Sequence, residues 1–129
     1  MKTGVVLVTH GDAGAAMIAA AEEKVGHLGG VAAIGVHLGE TAAHVQARLE
    51  STVDGMQVDE VVFLVDLGGS TPFNVCCRAC RHHSVVVSGV NLPMLFKLST
   101  ADRDAGARSL AEELVATGTK SIGIREGHS

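Results

Sequence analysis

Aromatic residues are almost missing from this chain, which has three Phe and neither Trp nor Tyr. Its core must therefore be aliphatic, built from Val, Leu, Ile, Ala and Met. The aromatic platforms on which nucleic-acid bases stack are not available to it. No basic run marks a phosphate-backbone tract, and 14 acidic against 10 basic residues leave a formal charge of −4, so nucleic acid is not an expected partner. Long apolar stretches are missing too. Lys2 is followed only by the short apolar run Gly4–Val8, which is neither a secretory signal nor long enough to span a bilayer. Three cysteines, an odd number, argue against a disulfide framework and agree with a cytoplasmic location.

What is present suits one domain over residues 1–129, since 47% of the chain is hydrophobic and its length holds one core. Apolar runs alternate with helical patterns, as in βαβ units around a parallel sheet. Strands are expected at 3–9, 31–37, 60–66 and 84–90. Helices are expected at 13–27, broken by Gly29-Gly30, and at 41–53, where Ala42, Val45 and Leu49 share a face. A third helix opens at Pro72, with Ser70 or Thr71 placed to cap it. A helical tail follows, with Leu110, Leu114 and Val115 as its apolar face, and 120–124 is read as a short last strand. The segment Asn91-Leu92-Pro93-Met94-Leu95 is read as a loop after the fourth strand.

Two strands end in polar groups. The first ends in Thr9-His10-Gly11, the third in Asp66, followed by Leu67-Gly68-Gly69-Ser70-Thr71-Pro72-Phe73-Asn74. In open α/β sheets chemistry gathers beyond the carboxyl ends of the strands. If these two strands are neighbours, Asp66 faces His10. A carboxylate bonded to one imidazole nitrogen fixes the tautomer, frees the other nitrogen as a nucleophile and stabilises the cation formed when it is substituted. Gly68 and Gly69 admit close backbone approach, Ser70 and Thr71 add hydroxyl donors, and the helix terminus at Pro72 favours an anion. Together these residues suit phosphoryl transfer through a nucleophilic histidine. Asn91 is expected to border the same cleft, because the fourth strand ends on the same side of the sheet.

Four segments carry a resemblance to a known family: Val-Thr-His-Gly at 8–11, Gly39-Glu40, Phe63-Leu64-Val65-Asp66 with Gly-Gly-Ser-Thr-Pro-Phe-Asn at 68–74, and Gly-Val-Asn-Leu-Pro-Met-Leu at 89–95. Over nearly its whole length the chain resembles the IIA component of the mannose/fructose/sorbose branch of the bacterial phosphotransferase system. The resemblance implies a doubly wound, mostly parallel open α/β sheet of order 2-1-3-4 with helices on both faces. It also implies an antiparallel edge strand, supplied here by 120–124 and often exchanged in a homodimer. It implies that His10 takes a phosphoryl group from HPr and passes it to a histidine of a separate IIB protein, with Asp66 as its catalytic partner. Gly68, Gly69, Ser70 and Thr71 would bind phosphate, and Thr9, Gly11 and Asn91 would lie in the cleft. No cofactor and no metal are implied, and association with a membrane would be indirect, through IIC and IID subunits. The chain departs from the family pattern at one place. The glycine pair sits one position closer to Asp66, so the phosphate loop is expected to be more flexible or differently aimed, with either Ser70 or Thr71 as the residue that touches the phosphoryl oxygens.

Other functions fit less well. The segment Asp66-Leu67-Gly68 is similar to that of phosphodonors to dihydroxyacetone kinase, and a purely regulatory IIA would use the same chemistry. A tetrapyrrole metal chelatase also has His-Gly after its first strand but needs a second metal-binding group across the cleft. A histidine phosphatase would need an arginine where Thr9 stands, to clamp the phosphate. Cys77 and Cys80, near His82 and His83, lie inside a helix rather than at its start, so Cys76, Cys77 and Cys80 read as small buried residues. His27, His37 and His44 read as solvated, with no carboxylate spacing around them. Arg78 or Lys97 is a candidate to dock an acidic partner rim.

Overall fold

The computed structural model describes residues 1–77 and 83–128. Four strands, β1 (Thr3–His10), β2 (Val31–Val36), β3 (Glu60–Val65) and β4 (His83–Ser88), pair in parallel in the order β2-β1-β3-β4. Alternation divides their side chains between two helical layers. Val5 and Leu7 of β1 with Val62 and Leu64 of β3 face α1 (Ala13–Val25), α4 (Leu92–Leu98) and α5 (Ala107–Lys120). Val6, Val8, Val61, Phe63 and Val65 face the other way, onto α2 (Ala42–Met56) and α3 (Thr71–Cys77). Covered on both sides, the central strands tolerate no polar interruption, which is why β1 and β3 read as continuous apolar runs. The expected sheet order and double-wound layering are present.

Several element boundaries differ from expectation. The first helix stops at Val25 because Gly26 takes φ 81°, before His27 and the glycine pair beyond it. The second continues past Val53 to Met56 and stops at Gln57, which is left-handed at φ 56°. The fourth strand stops at Ser88, where Gly89 turns with φ 83°.

The segment read as a loop at 91–95 is instead the start of α4. Asn91 caps it by accepting the Met94 N–H at 3.4 Å, and Pro93 stands in its first turn, where a missing N–H costs nothing. Met94, Leu95 and Leu98 are buried, the spacing of one helical face. On α5 the buried face is Ala107, Leu110, Ala111, Leu114 and Gly118, while Val115 is 43% exposed and not part of it. A Cβ on Gly118 would lie 2.6 Å from Met94 Cε, so glycine there lets α5 close onto α4. Residues 122–128, where part of a last strand was expected, form no strand within this chain. Ile122 and Ile124 are left 77% and 100% exposed.

The amino end of the sheet is tied by one side chain. Buried Arg103 donates to the carbonyls of Thr3 (3.2 Å), Gly29 (3.0 Å) and Gly30 (2.8 Å), and its own carbonyl accepts the Thr3 N–H at 3.0 Å. Carbonyls that lose a charged donor in a buried place are costly. Arg103→Met is therefore expected to destabilise the fold by about 3 kcal/mol. Urea unfolding measures this, and an unchanged midpoint would remove Arg103 from that role.

Candidate functional site

The carboxyl ends of β1, β2 and β3 open on one end of the sheet. The parallel register aligns Val8 with Val65, so both strands run out together and deliver His10 and Asp66 as neighbours. Asp66 Oδ2 accepts two hydrogen bonds from the same residue, the His10 N–H at 3.0 Å and the His10 ring Nδ1 at 2.9 Å. One donor is backbone, which fixes where the carboxylate sits; the other is the ring, which the carboxylate then orients. Burial is the largest influence on Asp66 and opposes its ionisation. The His10 amide, followed by the His10 ring, outweighs it and holds the carboxyl below its ordinary value. A proton on Nδ1, facing the anion, leaves the Nε2 lone pair free on a ring that is about half exposed at 54%.

The loops around this pair form a cavity of about 440 Å³ lined by His10, Gly11, Val36, His37, Leu38 and Thr71, with Gly39 and Glu40 completing the wall. Gly11, at φ 53°, donates its N–H to Val36 O at 2.8 Å, which binds the turn after β1 to the end of β2. Gly35 makes this approach achievable, because a Cβ there would stand 2.3 Å from Gly11 O. Thr9, expected in the cleft, is fully buried. Its hydroxyl accepts the Gly14 N–H at 2.8 Å and so anchors the first turn of α1.

The residues between Asp66 and Pro72 separate by role. Gly68 packs where a Cβ would fall 3.2 Å from Ser88 Oγ, and Gly69 turns with φ 76°. Ser70 Oγ donates to Leu67 O at 2.5 Å and accepts the Phe73 N–H at 3.4 Å, while Ser70 O accepts the Asn74 N–H at 2.9 Å. Ser70 is thus the cap of α3. Since Pro72 has no N–H, the helix start offers fewer donors to an anion than the sequence suggests. Thr71, by contrast, lines the cavity with His10. Asn91 is not brought to this cleft: besides capping α4, its Nδ2 donates to Gly118 O at 3.4 Å.

The wall formed by the β2–α2 loop went unread in the sequence except for Gly39-Glu40. Glu40 Oε1 accepts the His37 N–H at 2.8 Å, and Oε2 pairs with Arg48 Nη1 at 2.8 Å and with His44 Nδ1 at 3.2 Å. The His37 amide, first among these, keeps Glu40 ionised below the usual carboxylate range. Arg48 also reaches Gly35 O at 3.1 Å. The expectation that three histidines lack carboxylate neighbours is corrected: His27 meets Glu22 at 3.2 Å, His37 meets Asp12 at 3.4 Å, and His44 meets Glu40. The first joins α1 to the loop after it and the second joins two loops, which simple spacing does not reveal. The legible signal was Glu40 with His44 and Arg48 at successive helical turns.

Cys76 is buried as expected, Cys77 is exposed, and Cys80, Arg78 and His82 lie outside the described residues. Lys97 is paired with Glu113 at 3.3 Å and is not among the cavity-lining residues. Among the described residues no group of three or more His, Cys, Asp or Glu is placed to hold a metal. No described helix is long and apolar enough to cross a membrane.

Asp66 has a lowered native pKa, so its contribution to stability is complete above the ordinary value of 3.8 and is lost as pH falls through the lowered one. The gap in unfolding free energy between the parent and Asp66→Asn is expected to close as the solution is acidified below that value. A gap independent of pH in acid titrations would show that the carboxylate is not held ionised by His10.

Comparison with known proteins agrees with this geometry. The family model described as PTS system fructose IIA component (EIIA-man) matches residues 4–115. The PTS system mannose-specific EIIAB component of Escherichia coli strain K12 is 31% identical over 126 residues, covering 95% of this chain and 39% of that relative. The chain thus spans about two fifths of the length of that relative. The PTS system sorbose-specific EIIA component of Klebsiella pneumoniae is 30% identical over 113 residues, covering 86% of this chain and 83% of the relative. Among solved structures, the mannose/sorbose specific IIA subunit of the phosphotransferase system from Enterococcus faecalis superposes with a TM-score of 0.86 at 25% identity, covering 100% of this chain and 98% of that one. With the fold, the motifs and these relatives in agreement, the chain belongs to the IIA family of the sugar phosphotransferase system, in its fructose and mannose/sorbose branch.

Proposed function

We propose that this chain is a phosphocarrier that accepts a phosphoryl group from phospho-HPr on His10 Nε2 and passes it to a histidine of a IIB component. The observation that carries this reading is the double donation of His10, through its amide and Nδ1, to one oxygen of Asp66. As Nε2 forms its bond to phosphorus, the bond from phosphorus to the donor's histidine nitrogen breaks. The Nδ1 proton stays in place, and the charge that appears on the ring is met by the carboxylate already bonded to it. Transfer to IIB is the same step in reverse. Such a transition state is loose, so the protein's main tasks are alignment and cover for the equatorial oxygens. Thr71 is the hydroxyl assigned to those oxygens, because it lines the cavity while Ser70 is occupied in the turn. Incubation with phosphoenolpyruvate, enzyme I and HPr is expected to add one acid-labile, base-stable phosphate per chain. None should appear in His10→Ala, and Asp66→Ala should slow transfer on the order of 10²-fold. Thr71→Ala should slow transfer with little loss of stability, and Ser70→Ala should do the reverse. An unchanged mass with competent HPr would end the carrier reading.

We further infer that the working form is a homodimer. The outer edge of β4 and α5 enclose a groove of about 540 Å³ lined by Val85, Val87, Arg108 and Val115, and an open strand edge invites another strand. The exposed Ile122 and Ile124 of a second copy supply the alternating apolar residues such a strand needs. Removal of residues 121–129 is expected to convert a dimer to a monomer in analytical ultracentrifugation. A shortened chain that still sediments as a dimer would place the interface elsewhere.

A further inference from the structure

A phosphoryl group on His10 carries close to two negative charges at neutral pH. The residues lining the cavity beside His10 include an anion, Glu40, and no lysine or arginine. Glu40 is itself matched by Arg48 and His44 on its outer side. One other lining side chain can become cationic, and that is His37. It extends from the loop after β2, with its amide fixed by Glu40 at 2.8 Å and its ring Nε2 close to Gly35 of that strand. A Cβ on Gly35 would stand 3.2 Å from its Nε2 and 2.3 Å from Gly11 O, so the glycine leaves room for the ring beside the turn that follows His10.

The present partner of that ring is Asp12 Oδ1, at 3.4 Å. The contact is not needed by the fold. Asp12 stands at the N-cap of α1 yet makes no side-chain cap bond, and the Gly14 N–H is served by Thr9 instead. Asp12 and His37 side chains are 87% and 52% exposed, so their pairing is weak and easily released. The charged or titratable groups facing the ring are Asp12 from the loop before α1, Glu40 from the loop before α2, and His10 across the cavity. A dianion on His10 is a stronger acceptor than the single carboxylate of Asp12.

We propose that His37 is a second phosphoryl-binding residue of this site. Its imidazole exchanges Asp12 for the phosphoryl oxygens when His10 is phosphorylated, and the phosphorylated form is thereby favoured more strongly as His37 becomes protonated. This rests on the reading of His10 as the phosphorylated residue and assigns to that site a pH-sensitive clamp. It makes the pair His10–His37 a unit in which one ring carries the group and the other neutralises it.

The test uses the intact chain with enzyme I, HPr and phosphoenolpyruvate. The ring resonances of His37 are followed by NMR before and after phosphorylation. They are expected to move toward the imidazolium position on phosphorylation and to stay in place in His10→Ala. In parallel, the equilibrium of phosphoryl exchange with HPr is compared between the parent and His37→Gln. The variant is expected to lose about tenfold, and the loss should shrink as the pH is raised. If the parent takes up one phosphoryl group on His10 while the His37 resonances and the pH profile of the variant stay unchanged, the inference about His37 is overturned and the carrier reading stands. If the parent takes up none, the carrier reading itself falls and this inference with it.

Discussion

The pairing register of β1 against β3 is the constraint on which the site depends. Side chains alternate across a strand, so a slip of one residue would send Val5 and Leu7 to the face now filled by Val6 and Val8. With both faces covered by helices, that slip would repack both core layers at once. The same register brings β1 and β3 to their ends within two residues of each other. The Asp66 carboxylate can then collect the amide and the ring of His10 together. The His10–Asp66 pair is held by the packing of two buried strands, an arrangement that suits the proposed transfer, in which alignment is the main demand.

Around that fixed pair the loops divide the work. The turn after β1 is bound to β2 through Gly11 and Val36, with Gly35 left bare to permit it. The loop after β2 is held by Glu40, which satisfies one amide and two side chains from α2. The loop after β3 uses Ser70 to start α3 and leaves Thr71 toward the cavity. The loops after β2 and β3 thus each spend one polar side chain on their own geometry and present another to the cavity. In the loop after β3 the two are neighbours, Ser70 in the turn and Thr71 at the cavity wall.

The displaced glycine pair takes on a definite meaning in this setting. Gly68 lies against Ser88 of β4, and Gly69 reverses the chain with a positive φ, so the two glycines complete the turn before the helix cap. The two residues between them and Pro72 are then free to serve as cap and cavity wall. Exposed Leu67 and Leu38, at 61% and 106%, follow β3 and precede Glu40 in loops on the same end of the sheet. They leave apolar surface exposed at this end.

By itself the sequence determined the α/β class, the four buried strands, His10 and Asp66 at strand ends, and the family. These are read from continuous apolar runs, from glycine and proline punctuation, and from short motifs, all of which are local. It missed α4, whose Asn91 cap and Pro93 resemble a loop until Met94, Leu95 and Leu98 are seen to be buried together. It placed Thr9 and Asn91 in the cleft because strand ends point there, although each side chain is committed to a helix start. Only the tertiary structure decided that Thr71 rather than Ser70 lines the cavity beside His10, and that Asp12 and His37 meet across two loops. It also showed that Glu40 is the anchor of one cavity wall. Those facts depend on backbone direction at loop residues and on contacts between segments far apart in the chain. No local pattern encodes them, because they are settled by where the packed strands leave the loops to meet.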